Sequence, residues 1–279
     1  MTSSADSQRN YSKMVTFERR LGGLIRYRKV FFPSHRAALE ISRSMMVSDI
    51  VRFFAVSCEL SGVANMVSHQ SMLTTHVDLS VGLERILSAM KKKSCRYEIQ
   101  RAQKLSAVEV EHNSSRALRD FLPLYNSFAK AKGPVPTLST GQFRELLAHG
   151  DAFVVYHHRR PMCCHLFLRD TEARAVRLLY SGSARFDSVE HASNCGALNR
   201  YLHWHAMQHY HAQGILIFDF GGIRHLTHPT ARFKLSFGGA VVTEHYYLCG
   251  RTAWLAKVGG ALYGKFFKSA APSLSAQQR

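Results

Sequence analysis

The chain is short of acid. Its 279 residues hold 19 Asp and Glu against 37 Lys and Arg, a formal net charge of +18 before any of the 16 histidines is protonated. That imbalance excludes a neutral surface and predicts attraction to polyanions, whether nucleic acid, phosphorylated cofactors or an acidic membrane face, without choosing among them. Long apolar runs are also missing. The most apolar stretch, Ile50 to Val67, is broken by Arg52 and Glu59 and is too short and too polar to span a bilayer. Met1 to Asn10 is polar and lacks the apolar centre of a secretory signal, so a cytoplasmic place is expected, peripheral at the inner membrane face where the basic surface meets lipid. No CxxC spacing occurs among Cys58, Cys95, Cys163, Cys164, Cys195 and Cys249, and a reduced interior accounts for all of them. What the chain does have is material for a core: 46% hydrophobic and 11% aromatic residues, well above a disordered composition.

Periodicity divides the chain. Val15 to Phe32 is rich in β-branched and aromatic residues around Gly22-Gly23 and reads as a hairpin. From Ser34 to Cys58 the spacing is helical but mixed, and Thr75 to Leu79 alternates as a strand. Leu83, Ile86, Leu87 and Met90 recur at helical spacing, and a second helix follows from the Lys91-Lys92-Lys93 run through Lys104. After strand Val108 to Val110, Ser114-Ser115 caps a helix that runs to Lys132 and stops at Gly133-Pro134. A further helix covers Thr140 to His149. Three strands follow, Ala152 to His158, Met162 to Arg169 and Ala175 to Tyr180, as an antiparallel meander. A long helix from Asn194 to His211, strand Ile215 to Phe220, strand Ala240 to Leu248 and a last helix near Trp254 to Phe267 complete the pattern. The expected class is α/β (α+β), a mixed, largely antiparallel sheet with helices on both faces. Four segments are expected: a disordered terminus 1–12, an N-terminal extension or partial unit 13–74, the main domain 75–268 and a flexible tail 269–279.

The densest signal lies late in the chain. Phe218-Asp219-Phe220-Gly221-Gly222-Ile223 is a strand ending in a glycine pair, and Phe233-Lys234-Leu235-Ser236-Phe237-Gly238-Gly239 repeats the glycine pair behind one lysine. Glycine pairs after strands allow positive φ and let backbone N–H groups approach a ligand. An Asp inside an apolar strand is costly unless it is paired or has a task. It is either a base or amine anchor, or a cap that accepts the N–H groups of its own turn. His203, His205, His209 and His211 share one helix. His205 and His209 have the spacing of a metal pair, but no HExxH glutamate and no third ligand are marked, so no metal is expected.

Taken in order, "VDLS", "MKKKSCRYEIQRAQKL", "LLYSGSA", "HAQG", "FDFGGI" and "RFKLSFGG" resemble the GNAT acyltransferase superfamily, and most of all its branch similar to the Fem-type peptidoglycan-bridge aminoacyltransferases. The likeness covers roughly Thr75 to Leu248. It implies acyl transfer to an amine, with acyl-coenzyme A, acetyl most often, as donor in most of the superfamily and aminoacyl-tRNA in the Fem-type branch. The implied acceptor is the primary amine of an amino sugar, amino acid or small amine. Carried over, Phe233 and Lys234 lie at the transfer site, the lysine beside developing charge. The superfamily's pyrophosphate loop shows a Gln or Arg, two spacers and Gly-x-Gly or Gly-x-Ala. Here Tyr180-Ser181-Gly182-Ser183-Ala184-Arg185 keeps the Gly182 and Ala184 separation but not the leading polar residue.

Amine acylation needs an oxyanion hole, a held donor and proton transfer. The resemblance puts the backbone N–H groups for the oxyanion at Leu179 to Gly182, and Ser183, Ala184 and Arg185, ahead of the long helix, meet donor phosphates. Tyr180 either protonates a leaving thiolate or packs in the core, and His225 and His228 are the candidates to move a proton beside the acceptor cleft. Arg96 and Arg101 either contact an anionic acceptor or form a solvated face, and Gly221 and Gly222 line the substrate turn. Two rivals stand beside this reading: a Fem-type enzyme using aminoacyl-tRNA, and a non-catalytic module on the same fold that binds RNA or an anionic membrane surface.

Overall fold

The computed structural model describes residues 14–21, 23–133, 135–187, 189–223 and 225–251. The expected terminal segments and the last helix, Trp254 to Phe267, lie outside them. Among the described residues are ten strands and seven α-helices, and every strand pairing with a defined register is antiparallel except two. The expected mixed class is what the chain forms. No described helix is long and apolar enough to cross a membrane. The described residues group into two compact units, 14–72 with 170–173 and 243–251, and 73–169 with 174–242.

In the first unit, β1 (Val15–Leu21) and β2 (Ile25–Phe31) form the expected hairpin, with Val15 opposite Phe31. Helix α1 (His35–Arg43) starts where Ser34 accepts the Ala37 N–H at 3.2 Å. The mixed helical stretch then gives way to strand β3 (Asp49–Val56), parallel to β2. Here the helical reading was wrong past Arg43. Ile50-Val51 and Phe53-Phe54 are strand formers, and pairing with β2 on one side and residues 245–249 on the other overrides the local period. Asp49 is wholly buried and is held by Arg26 at 2.5 Å and Arg28 at 3.6 Å. Its hydrogen bond to Arg26 outweighs burial and keeps the carboxyl below its usual range.

The second unit takes residues 73–78 of β4 (Met66–Asp78). Helix α2 (Leu83–Ala89) leads through a π-turn, Lys92–Arg96, into α3 (Tyr97–Gln103). Strand β5 (Val108–His112) precedes α4 (Ser115–Lys132), capped by Ser114 and ended by Gly133 as its sequence signals require. Helix α5 (Thr140–Leu147) opens on a capping box of Ser139 and Gln142. The meander is present as β6 (Gly150–His157), β7 (Arg160–Asp170) and β8 (Ala175–Ser183). A 3-10 turn, Ala184–Phe186, leads to α6 (Val189–Ala212), which starts five residues before the expected Asn194. Strand β9 (Ile217–Asp219) and helix α7 (Pro229–Leu235) follow, and the unit ends in the first residues, 240–242, of strand β10 (Ala240–Cys249), whose remainder belongs to the first unit. Neighbours in this sheet run β4-β9-β8-β7-β6-β5. Its core is aromatic: Phe167 and Phe218 lie 5.2 Å apart by ring centroid, with Tyr210 edge-on to Phe167 at 5.4 Å.

Candidate active site

Strand β9 is short, and that shapes the site. It pairs in parallel with β8 only at Ala175↔Ile217, Val176↔Phe218 and Arg177↔Asp219, whereas β8 continues to Ser183. Past Asp219 the chain keeps bonding to β4: Phe220 N–H donates to Thr75 O at 3.0 Å and Ile223 N–H to Leu73 O at 2.6 Å. Gly221-Gly222 is the step between these bonds. The parallel ladder thus ends at Arg177 and Asp219: the glycine turn packs beside Leu178 while β8 runs on past it, and this is where the two strands part.

Asp219 anchors the head of that parting. The register places His76 of β4 and Arg177 of β8 directly beside it on one face, with Thr74 two residues from His76. Oδ1 accepts from Thr74 Oγ1 and from the Gly221 N–H at 2.8 Å. Oδ2 takes Arg177, and His76 Nε2 stands 3.8 Å away. Burial alone would raise this carboxyl, but Arg177, His76 and Thr74 together hold it well below the usual carboxylate range. Of the two roles open to Asp219, the geometry shows the cap. Its lone pairs are engaged, so it is not free to act as a base. Gly221 has φ 72°, and an added Cβ would stand 2.9 Å from Leu178 O, so a side chain there meets both strain and backbone.

Lys234 reaches the same turn from the other side. Pro229 at the first position of α7 and His228 as its cap, accepting the Thr230 N–H at 3.2 Å, set the helix. From its last turn Lys234 Nζ donates to Gly221 O and Gly222 O, each at 2.8 Å, and the side chain is buried. The preceding ring, Phe233, carries the Arg200 guanidinium 4.9 Å from its centroid and lies 5.6 Å from His203. His203 is buried and stacks on His165 at 3.9 Å. Burial first, then His165, Lys234 and Arg200, drive its pKa well below the usual histidine value.

Residues Leu179 to Ser183 of the expected donor loop all belong to β8. Gly182 is needed for close packing, since a Cβ would lie 3.0 Å from Tyr125 Cα and 3.2 Å from Cys164 Sγ. Gly182 and Ala184 are buried, Ser181 and Ser183 are half-buried and Arg185 is exposed. Tyr180 is half-buried, edge-on to Tyr125 at 5.2 Å.

Other expected residues lie apart. Arg101 donates to Glu98 at 3.2 Å, Ser193 O at 2.9 Å and Asn194 Oδ1 at 3.1 Å, tying α3 to α6; it is a structural strap, not a free anion ligand. Arg96 ends the π-turn with its Nε buried and without a hydrogen-bond partner. His225 is exposed, and His228 spends Nδ1 on its helix cap. No three His, Cys, Asp or Glu side chains among the described residues converge as metal ligands. Sequence reasoning missed Thr74, His76, Arg177 and Arg200, and weighed His203 only as one of four helix histidines. Arg177 carried a usable signal, a charge inside the apolar run Ala175 to Tyr180 that a buried acid elsewhere must answer.

Residues 89–235, more than half of the chain, match the family described as an acetyltransferase (GNAT) domain. No curated protein matches the chain. Among solved structures it resembles FemX, with TM-score 0.62 and 11% identity over 91% of this chain and 88% of that one. It is also similar to the C-terminal domain (DUF2156) of a putative lysylphosphatidylglycerol synthetase from Agrobacterium fabrum, TM-score 0.55 and 13% identity over 89% of each chain. L-PGS from Bacillus licheniformis has TM-score 0.55 and 11% identity over 92% of this chain and 87% of that one. At these identities the likeness is one of fold. With the family match running from the end of α2 through α7, over the meander and the FK helix, the chain belongs to the acetyltransferase (GNAT) family of acyltransferases.

Proposed function

We propose that the protein transfers an acyl group, acetyl first among them, from an acyl-coenzyme A to the primary amine of a small acceptor such as an amino sugar or amino acid. The observation that carries this reading is the end of the β8–β9 ladder at Arg177↔Asp219, beyond which β8 runs on to Ser183 next to a turn gripped by a lysine. An acyl-pantetheine arm laid along that stretch meets backbone N–H groups of β8, and these stabilise the oxyanion as the amine adds to the thioester carbonyl. The C–N bond forms, the C–S bond breaks, and the departing thiolate takes its proton from Tyr180. Lys234 fixes Gly221 and Gly222 through their carbonyls and places positive charge at the head of the parting. Asp219, engaged on both oxygens, holds that turn and takes no proton; exposed His225 is the group left to accept the proton of the amine.

A second reading keeps the fold and takes the acyl group from aminoacyl-tRNA. It is favoured by the net charge of +18, broader than coenzyme A alone requires, and by the likeness to FemX. Transfer from radiolabelled acetyl-coenzyme A to a panel of amines, with and without ribonuclease, separates the two. The expected result is ribonuclease-insensitive transfer; activity abolished by ribonuclease moves the assignment to the second reading. Lys234→Met should retain coenzyme A binding and lose about 100-fold in turnover, the size of effect seen when one oxyanion-side donor is removed. A folded variant with parental turnover would take Lys234 out of the mechanism.

A further inference from the structure

The end of α4 and the 3-10 turn after β8 bring Arg185, expected above at the donor phosphates, together with three side chains that neither the fold nor the transfer chemistry explains. The rings of Phe128 and Phe186 stack with centroids 5.7 Å apart and planes at 27°. Lys132 Nζ lies 5.2 Å from the Phe128 centroid and Arg185 Cζ 5.8 Å from that of Phe186. Phe186 is 51% exposed, a large apolar face left in water. No carboxylate among the described residues pairs with Lys132 or Arg185. The acid of that turn, Asp187, is turned to Arg160 at 3.5 Å. Crowding of its ammonium by protein, and then the Arg185 guanidinium, lower the Lys132 pKa, so the two cations feel each other. An anion between them would relieve that repulsion, and a flat ring on Phe186 would cover the exposed face.

Arg185 follows the last two residues of the β8 stretch along which the donor was placed above. We propose that Lys132, Arg185, Phe128 and Phe186 form a clamp for the nucleotide end of the donor, a purine stacking on Phe186 and a phosphomonoester held between Lys132 and Arg185. The clamp deepens the acyl-coenzyme A reading and rests on it. Its size fits one nucleotide: one aromatic step and two cations suit the 3′-phosphoadenosine end of coenzyme A. A polynucleotide would use a longer track of bases and phosphates.

The test is calorimetric titration of the whole protein with adenosine 3′,5′-bisphosphate, coenzyme A and 3′-dephospho-coenzyme A. Lys132→Met and Phe186→Ala are compared with Arg119→Gln, a change on the same helix at an exposed arginine paired with Asp120. The parent should bind coenzyme A more tightly than its dephospho form. Lys132→Met should erase that preference, Phe186→Ala should weaken all three ligands about tenfold, and Arg119→Gln should change nothing. If coenzyme A binds but Lys132→Met and Phe186→Ala match the parent, the clamp is wrong and the donor reading stands. If the parent binds no coenzyme A, both fall. If a single-stranded RNA ending in CCA binds through these side chains while the bisphosphate does not, the clamp as proposed is overturned in favour of a polynucleotide.

Discussion

Replacing Asp219 with alanine is expected to cost about 3–5 kcal/mol of stability, the range found when one partner of a buried ion pair is removed. The carboxylate and the Arg177 guanidinium are both buried. Loss of the acid takes the Oδ2 partner from the buried Arg177 guanidinium and also releases Thr74 Oγ1 and the Gly221 N–H from their acceptor. Adding Arg177→Met to Asp219→Ala removes both halves of the ion pair, so the double variant should lose less than the sum of the two single losses. Urea unfolding at pH 8 gives both numbers. A double variant that merely sums two independent losses would mean that Arg177 does not depend on this carboxylate, and the proposed anchoring of the glycine turn would fail with it. Transfer activity should fall in the single variant even under conditions where it stays folded, because Gly221-Gly222 loses its grip on the side away from Lys234.

Acid should weaken the fold well before carboxylates titrate. His165 sits wholly buried on β7, its Nε2 donating to Asn199 Oδ1 at 2.7 Å and its Nδ1 without a partner. Burial takes its pKa from 6.5 down to about 4, against a smaller opposing effect of Asn199. The unfolded chain therefore binds a proton near pH 6.5 that the folded chain refuses. Stability is complete above that pH and falls as pH drops towards 4, by about 3 kcal/mol for this one group. His203, stacked on it beside Lys234 and Arg200, shifts in the same direction and adds to the loss. Below that window Asp219 and Asp151 contribute with the same sign: for each, burial is outweighed by its cationic and hydrogen-bonding neighbours, and stability is lost as the carboxylate is protonated. Melting temperatures from pH 8 to pH 4 should show the decline, and His165→Gln, which cannot titrate, should flatten it. An unchanged slope in that variant would place the acid sensitivity elsewhere.

The long periodic elements were legible because their signals are local. Ser114 and Gly133 bracket α4, and the two turns of the meander fall where charged and proline-bearing breaks interrupt β-branched runs. Strand β3 was not legible, since what makes Asp49 to Val56 extended is pairing with β2 and with residues from the far end of the chain. At the site, the glycine pairs and Lys234 stood out by type and spacing. The partners of Asp219 did not, because Thr74 and His76 lie about 145 positions away in sequence and meet it only through strand register. In the loop Tyr180 to Arg185, spacing marks a glycine and an alanine, but the packing of Tyr125 and Cys164 that requires Gly182 comes from elements distant in sequence and leaves no local signal.

The cysteines give the molecule an internal clock. Cys58 is exposed, whereas Cys95, Cys163, Cys164, Cys195 and Cys249 are buried. A thiol reagent in water marks Cys58 at once and reaches the buried thiols only when the packing around them opens. The lag between the two labelling phases measures how often that packing breathes, and a ligand that clasps β8 lengthens it.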